Sequence, residues 1–258
     1  MFADAAYWLL LAALGLTVGS LLNVVCWRLP LMITAQAPAG FNLWLPASHC
    51  PQCQTPLKWR DNIPLISWLR LQGRCRHCRQ RIAVRYPLME GVTLLLTLAV
   101  SAIFPCGPLL LATLLLSWLL LPLMVIDAEH QLLPDLLTLG LLWLGLLANL
   151  LAWLPAVTLH ASVAGAITGY GVLALLAHGW YWLRGKEALG LGDAKLLAAL
   201  GAWLGWQPLP QLLLLASIGG IGWALMARLL WQRPLSAALP FGPFLAVAGW
   251  LLWLSGNR

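Results

Sequence analysis

The sequence predicts an all-α, polytopic membrane protein with about eight transmembrane helices and a cytosolic zinc-binding loop domain. Of its 258 residues, 61% are hydrophobic and only 9% are charged, and the mean hydropathy is +0.84. A soluble domain is about one-quarter charged, so this composition excludes a water-soluble globule. Several apolar runs reach the roughly 18 to 20 residues that a spanning helix needs, and the sequence lacks the short alternating segments of an outer-membrane barrel.

Eight apolar runs are the predicted spans. The first, at 5–27, has no basic segment before it and no small-residue cleavage site after it, so we expect a retained helix rather than a removed signal. The other predicted spans lie at 88–104, 109–126, 136–154, 159–183, 194–206, 212–231 and 241–254. Segments rich in proline and glycine separate several of these runs, as is typical of tight turns.

The distribution of basic residues predicts the topology. Nine of the fifteen Lys and Arg residues lie between Arg28 and Arg85, and alternation of eight spans leaves only Arg258 on the opposite side. The positive-inside rule therefore places the segment 28–86 in the cytoplasm and both termini outside. The net charge of +7 is thus explained mainly by basic residues that determine the orientation in the membrane. We expect the same residues to contact anionic lipid headgroups. No motif supports nucleic-acid binding, so we expect no nucleic-acid partner.

Two C-x-x-C motifs lie in the one long polar segment, residues 29–87. Cys50 and Cys53 form the first motif, Cys75 and Cys78 form the second, and 21 residues separate them. Four thiolates at such a spacing predict an all-cysteine, tetrahedral zinc site. Because four sulfur ligands leave no open position for water, we expect a structural metal that holds together a segment with little apolar core. A redox-active pair is the alternative, which a cytoplasmic location disfavours.

Two acidic residues at the cytosolic ends of predicted spans are the candidate catalytic pair. Asp127 directly follows the run 109–126, and Asp193 ends the sequence Gly-Leu-Gly-Asp before the run 194–206. An ionised carboxyl group inside a bilayer costs about 2.5 to 3.5 kcal/mol, so such residues are functional candidates by default. If the two carboxylates meet at one depth and share a proton, they can activate water and protonate a leaving group, as in aspartic proteases.

Other roles for these acids compete with catalysis. Asp193 precedes a predicted helix and would serve as its N-cap, and Asp135, which follows a proline, is expected to be a capping residue. Asp127 lies at a helix C-terminus, where a negative charge is slightly unfavourable, so capping does not account for it. At the level of the whole protein, the alternatives are a proton- or cation-coupled transporter with a metal-sensing loop and a non-catalytic membrane scaffold.

Seven motifs are spread along the chain, the third of them between the two cysteine motifs. They are GSLLNVV at 19–25, the paired cysteine motifs, DNIPLISW at 61–68, RYPLME at 85–90, LPD at 133–135, GLGD at 190–193 and PFGP at 240–243. In this ordered set the chain resembles the type IV prepilin leader peptidases, a family of bacterial inner-membrane aspartic peptidases. We therefore expect a first helix at 1–28, a cytosolic four-cysteine module at 29–87 and a seven-helix membrane peptidase domain at 88–258.

The resemblance implies an activity and its residues. It implies cleavage, on the cytoplasmic side of the inner membrane, of the leader of type IV prepilins or type II secretion pseudopilins. Members with the cysteine-bearing loop typically also methylate the new N-terminus with S-adenosylmethionine, although this sequence has no Rossmann fingerprint for the methyl donor. The family's catalytic aspartates match Asp127 and Asp193, and its zinc ligands match the four cysteines of the two motifs.

Overall fold

The structure, a computed structural model, describes residues 2–38, 40–185, 190–232 and 239–257. Within these ranges the chain is helical or irregular, without a β-strand, so the prediction of an all-α protein is confirmed. The helices are α1 (Phe2–Ile33), α2 (Ile66–Arg70), α3 (Arg85–Ile103), α4 (Pro108–His130), α5 (Asp135–Leu150), α6 (Leu159–Arg184), α7 (Leu191–Leu204), α8 (Leu209–Trp231) and α9 (Gly242–Gly256). A short 3₁₀ helix at Trp59–Asp61 precedes α2.

Five of these helices are long and apolar enough to cross a membrane, namely α1, α3, α4, α6 and α8. Helices α5 and α9 are apolar but have 16 and 15 residues, and α7 has 14. The prediction of a protein with several membrane-length helices is therefore confirmed. The count of eight transmembrane helices remains a prediction.

The first helix continues to Ile33, beyond the predicted end of the span at residue 27. The charged residue that ends the apolar run, Arg28, is only 7% exposed. Its guanidinium donates hydrogen bonds to the carbonyls of Asn42, Leu43 and Pro46, at 3.0, 3.3 and 2.6 Å. These carbonyls replace water as hydrogen-bond acceptors, so the buried guanidinium is satisfied. Arg28 can therefore lie inside the helix, which continues past it to Ile33.

The described residues form two compact units, Met1–Pro105 and Cys106–Arg258. In the first unit α1 packs closely against α3, because a Cβ at Gly19 would lie 2.8 Å from the Cα of Glu90 and one at Gly15 would lie 3.1 Å from the Cα of Leu94. The segment between these helices, residues 34–84, is called here the cysteine segment. The predicted domain boundaries after residues 28 and 87 remain a prediction.

Helix α7 is the core of the second unit and packs against α5, α6 and α9. Its residues Leu196, Leu197 and Leu200 are fully buried, as is Trp203, whose indole N–H donates to the carbonyl of Leu141 at 2.8 Å. A helix that is apolar on every side belongs in the interior, which accounts for this placement.

Backbones approach closely where α6 and α7 meet. A Cβ at Gly201 would overlap the carbonyl of Gly165, and one at Gly169 would lie 2.7 Å from the carbonyl oxygen of Leu197. Ser162 adds a hydrogen bond from its hydroxyl to the carbonyl of Ala202. Small residues therefore allow this contact, as they do between helices in membranes.

Candidate active site and metal centre

Asp127 lies in the last turn of α4 and is only 5% exposed. The helix runs one turn beyond the predicted span and ends where Gln131 adopts a left-handed conformation, with its N–H bonded to the carbonyl of Asp127 at 2.8 Å. The carboxylate of Asp127 accepts a hydrogen bond of 2.9 Å from the backbone N–H of Gly242, the first residue of α9. A buried carboxylate is thus held in one orientation by a backbone donor from a distant part of the chain.

Asp193 lies in the first turn of α7, not before it. The helix begins at Leu191, and Gly190 occupies the N-cap position, so Asp193 is the third helical residue. The interpretation of Asp193 as an N-cap is therefore wrong. The N-cap is Gly190, whose backbone is extended, and the helix begins three residues before the apolar run at 194. Asp193 is partly buried and interacts electrostatically with Asp127. The two predicted aspartates thus lie in the same unit, near enough for their charges to interact.

Leu133, in the connection between α4 and α5, lies between the two aspartate-bearing regions. A Cβ at Gly192, the residue before Asp193, would be 3.0 Å from the Cβ of Leu133. A Cβ at Gly242 would be 3.2 Å from Cδ2 of Leu133 and 2.7 Å from Oδ2 of Asp127. The absence of side chains at both glycines therefore lets one leucine contact α7 and α9 next to the carboxylates.

Asp135 is the first residue of α5, after the N-cap Pro134, so its negative charge lies at the end of the helix that the dipole favours. Its carboxylate also accepts a hydrogen bond of 2.6 Å from the ammonium of Lys195, in the first turns of α7. Asp135 is therefore not the N-cap residue itself, and it joins two helices through an ion pair. Sequence reasoning missed Lys195, although a lysine two positions after Asp193 in an otherwise apolar helix was a signal for it.

The four cysteines of the two motifs meet in the cysteine segment. Their sulfur atoms all lie within 4.8 Å of one another, with Cys50 and Cys78 3.8 Å apart and Cys53 and Cys75 3.9 Å apart. Tetrahedral zinc–sulfur bonds of about 2.3 Å place neighbouring sulfurs about 3.8 Å apart, so this arrangement fits a Zn²⁺ ion. The cluster can bind a metal such as zinc.

Both cysteine motifs fold into the same short hairpin. Isolated antiparallel bridges join His49 to Pro56 and Arg74 to Arg81. In each hairpin the residue after the second cysteine has a positive φ, 55° at Gln54 and 61° at Arg79. The two hairpins therefore repeat one backbone design and contribute two sulfurs each.

The surroundings of the cluster affect its thiols in opposite directions. Hydrogen bonds with the side chain of Thr55, at 3.3 Å, and then with its backbone and with neighbouring thiols lower the pKa of Cys53 to about 6, whereas burial and the other thiols raise the pKa of Cys78 to about 11. A thiolate is the form that binds metal, so a lowered pKa favours binding at neutral pH.

Buried polar contacts fasten the cysteine segment to α1 and α3. The carboxylate of Glu90, only 8% exposed, accepts a hydrogen bond of 2.8 Å from the N–H of Leu65 and interacts with the hydroxyl of Ser20. Leu65 has φ +57° and ψ −49°, and the N–H of Ile66 bonds back to the carbonyl of Pro64 at 2.6 Å, which is a strained γ-turn. A buried carboxylate thus holds the turn that begins α2.

Two family models match the chain, one on each unit. The bacterial peptidase A24 N-terminal domain matches residues 13–104, and the type IV leader peptidase family matches residues 114–225. No solved structure gives a significant match.

Curated relatives are similar along nearly the whole chain. A protein of Aeromonas hydrophila is 46% identical over 97% of this chain and 91% of its own length, and one of Pectobacterium carotovorum subsp. carotovorum is 47% identical over 95% and 92%. A protein of Klebsiella pneumoniae is 57% identical over 79% of this chain and 87% of its own. Each of these relatives is named prepilin leader peptidase/N-methyltransferase.

Proposed function

Because this chain belongs to the type IV leader peptidase family, we propose that it is a membrane aspartic endopeptidase that removes the leader of type IV prepilins or type II secretion pseudopilins. The observation that carries the proposal is the buried carboxylate of Asp127, held by the amide of Gly242 and interacting with Asp193. These are the two aspartates that the family resemblance assigns to catalysis.

The chemistry follows from two carboxyl groups that share one proton. Like charges in contact cannot both ionise cheaply, so the pair retains a proton between them. The ionised carboxylate takes a proton from a water molecule as the water attacks the scissile carbonyl carbon. The protonated carboxyl group donates its proton to the carbonyl oxygen of the substrate. The amide of Gly242 fixes the orientation of Asp127 for this exchange.

Gly190, at the N-cap position of α7, leaves room for an extended substrate. Among the described residues, a Cβ placed at Gly190 would meet the Oδ2 atom of Asp193, at 3.8 Å, and the N atom of Gly192, at 3.9 Å. A peptide strand can approach the backbone closely at such a glycine, whereas Leu133 already occupies the space beside Gly192. We propose that the scissile region of the precursor lies beside Gly190 while its apolar helix enters from the lipid bilayer.

The positive-inside distribution supports an orientation with the aspartates at the cytoplasmic face of the bacterial inner membrane. In this arrangement α1 and α3 to α9 provide eight spans. Helix α7 is the shortest of these eight helices and packs against α5, α6 and α9.

The four cysteines would hold a structural zinc ion. A four-sulfur site offers no open position for water, so the metal would stabilise the cysteine segment and take no part in peptide hydrolysis.

Methylation of the new N-terminus is the second proposed activity. It is supported by the names of the curated relatives, which include N-methyltransferase. S-adenosylmethionine would supply the methyl group through its sulfonium, and the free amine exposed by cleavage would accept it. The proposal assigns no residues of this chain to the methyl donor.

The relatives' names give no support to the transporter alternative. The decisive experiment incubates the protein in proteoliposomes with a pilin precursor and S-adenosylmethionine and follows the products by mass spectrometry. Cleavage should be abolished by Asp127→Asn and by Asp193→Asn. Glu129→Gln, which removes a partly exposed carboxylate two positions from Asp127, is the control that should still cleave. Cleavage by either aspartate variant at the wild-type rate would refute the assignment.

A further inference from the structure

The two candidate catalytic carboxylates are held in different ways. Asp127 is fixed directly by the hydrogen bond from Gly242. Among the residues that the structure describes, none forms a hydrogen bond with the side chain of Asp193. The position of Asp193 therefore depends on where the first turn of α7 lies.

Two contacts locate that turn, and both come from residues shortly after α4, namely Leu133 in the connection and Asp135 at the start of α5. The side chain of Leu133 packs against Gly192 on one side and Gly242 on the other. Two residues later, Asp135 pairs with Lys195 at 2.6 Å, across 60 positions of sequence. The same short stretch of chain thus contacts α7 on both sides of Asp193 and also contacts the residue that holds Asp127.

The ion pair between Asp135 and Lys195 contributes little to stability where it lies. The side chains are 59% and 29% exposed, and solvent-exposed pairs contribute little to folding. A contact of this kind nevertheless restricts the position of the helix end that bears the lysine. Its main effect is therefore on the geometry of α7 rather than on the free energy of unfolding.

We propose that Leu133, Asp135 and Lys195 are positioning residues that set the separation of Asp193 from Asp127. This inference rests on the proposed function, because it assumes that the two aspartates act on one water molecule. Both carboxylates must reach that water within hydrogen-bond distance, and a displacement of about 1 Å can lower a rate about 100-fold. In this role the three residues act through the carboxylates and not directly on the water or the substrate.

The ion pair is tested with conservative and non-conservative variants at each end. Lys195→Met and Asp135→Asn should each lower kcat for precursor cleavage about 10- to 100-fold and leave KM within about threefold, since they misplace a carboxylate without removing a substrate contact. Lys195→Arg and Asp135→Glu should retain most of the activity. The double variant Asp135→Asn with Lys195→Met should be no slower than the worse single variant, because one interaction can be lost only once.

Two comparisons separate positioning from other effects. Asp135→Asn leaves the lysine charge in place, so its loss of kcat cannot come from removing a cation beside the aspartates. Arg228→Met removes one basic charge from an exposed position of α8 and should cleave at the wild-type rate. Melting temperatures should stay within a few degrees for all variants, as expected for an exposed pair.

The outcomes are distinguishable. If the wild-type protein and Arg228→Met do not cleave the precursor, the proposed function fails. If they cleave and Asp127→Asn does not, but Lys195→Met and Asp135→Asn match the wild type, only the positioning role is overturned. A rise in KM with kcat unchanged, or additive losses in the double variant, would also overturn it.

Discussion

The backbone N–H of Gly242 donates to Oδ2 of Asp127 across 115 positions of sequence, at 2.9 Å. The donor is the first residue of α9, where backbone N–H groups have no partner inside the helix. The bond therefore satisfies a free donor and orients a buried acceptor at once. It also explains why position 242 has no side chain, because a Cβ there would lie 2.7 Å from the same oxygen.

Gly242→Ala should lower precursor cleavage about 100-fold or more, because the new methyl group must displace either the carboxylate of Asp127 or the start of α9. Initial cleavage rates in proteoliposomes measure the effect. Gly222→Ala is the matched control, since a Cβ at Gly222 meets nothing within 4 Å. Equal rates for the two variants would show that the orientation of Asp127 is not limiting.

Replacement of Cys50 and Cys75 by serine should release the bound metal and destabilise the cysteine segment. One thiolate is then missing from each hairpin, and two sulfurs hold zinc far less tightly than four. Zinc per chain, measured by atomic emission, should fall from about one to near zero. Cys106→Ser, at an exposed cysteine of the second unit, should keep its zinc. A full metal content in the double variant would contradict the four-cysteine assignment.

Glu90→Ala should loosen the turn at the start of α2. The partly buried N–H of Leu65 loses its acceptor, which costs about 1 to 3 kcal/mol, and the strained conformation of Leu65 is no longer supported. Hydrogen exchange of peptides covering residues 61–70 should become faster by about one order of magnitude or more. Glu129→Ala, at an exposed carboxylate of the other unit, should leave this exchange unchanged. Unchanged exchange in Glu90→Ala itself would show that Glu90 does not hold the turn at the start of α2.

Two glycine-to-alanine changes should have opposite effects on stability. Gly201→Ala forces α6 and α7 apart, because its Cβ overlaps the backbone of Gly165, and should lower the melting temperature by several degrees. Gly171→Ala meets nothing within 4 Å in the middle of α6 and should raise it slightly, since alanine favours the helix by about 1 kcal/mol. Thermal unfolding in the same detergent gives both melting temperatures. An unchanged melting temperature for Gly201→Ala would contradict the close contact between α6 and α7.

Sequence alone predicted those parts of the molecule that depend on local composition or on short motifs. Apolar runs located the long helices, and the spacing of the cysteines predicted the cluster that the structure forms. The helix end at Asp127 was placed a turn too early, because hydropathy falls at a charged residue whether or not the backbone remains helical. The N-cap interpretation of Asp193 was wrong for the same reason, since glycines before it are poor helix formers in isolation.

The contacts around the aspartates could not be predicted in this way. Gly242 and Lys195 meet their partners across 115 and 60 positions of sequence, and no local pattern specifies such pairs. The motifs LPD and PFGP marked the neighbourhoods of Leu133 and Gly242 without indicating what they touch. Tertiary packing decides these relationships, and the family resemblance signalled only that the segments matter.

Because the two hairpins have the same design, both are needed to complete one metal site. Each hairpin contributes two sulfurs, so neither hairpin alone can supply the four ligands of a tetrahedral metal ion. A chelator should therefore unfold both hairpins in one cooperative step. At intermediate chelator concentrations, the sample should contain metal-bound chains with both hairpins folded and metal-free chains with both hairpins unfolded.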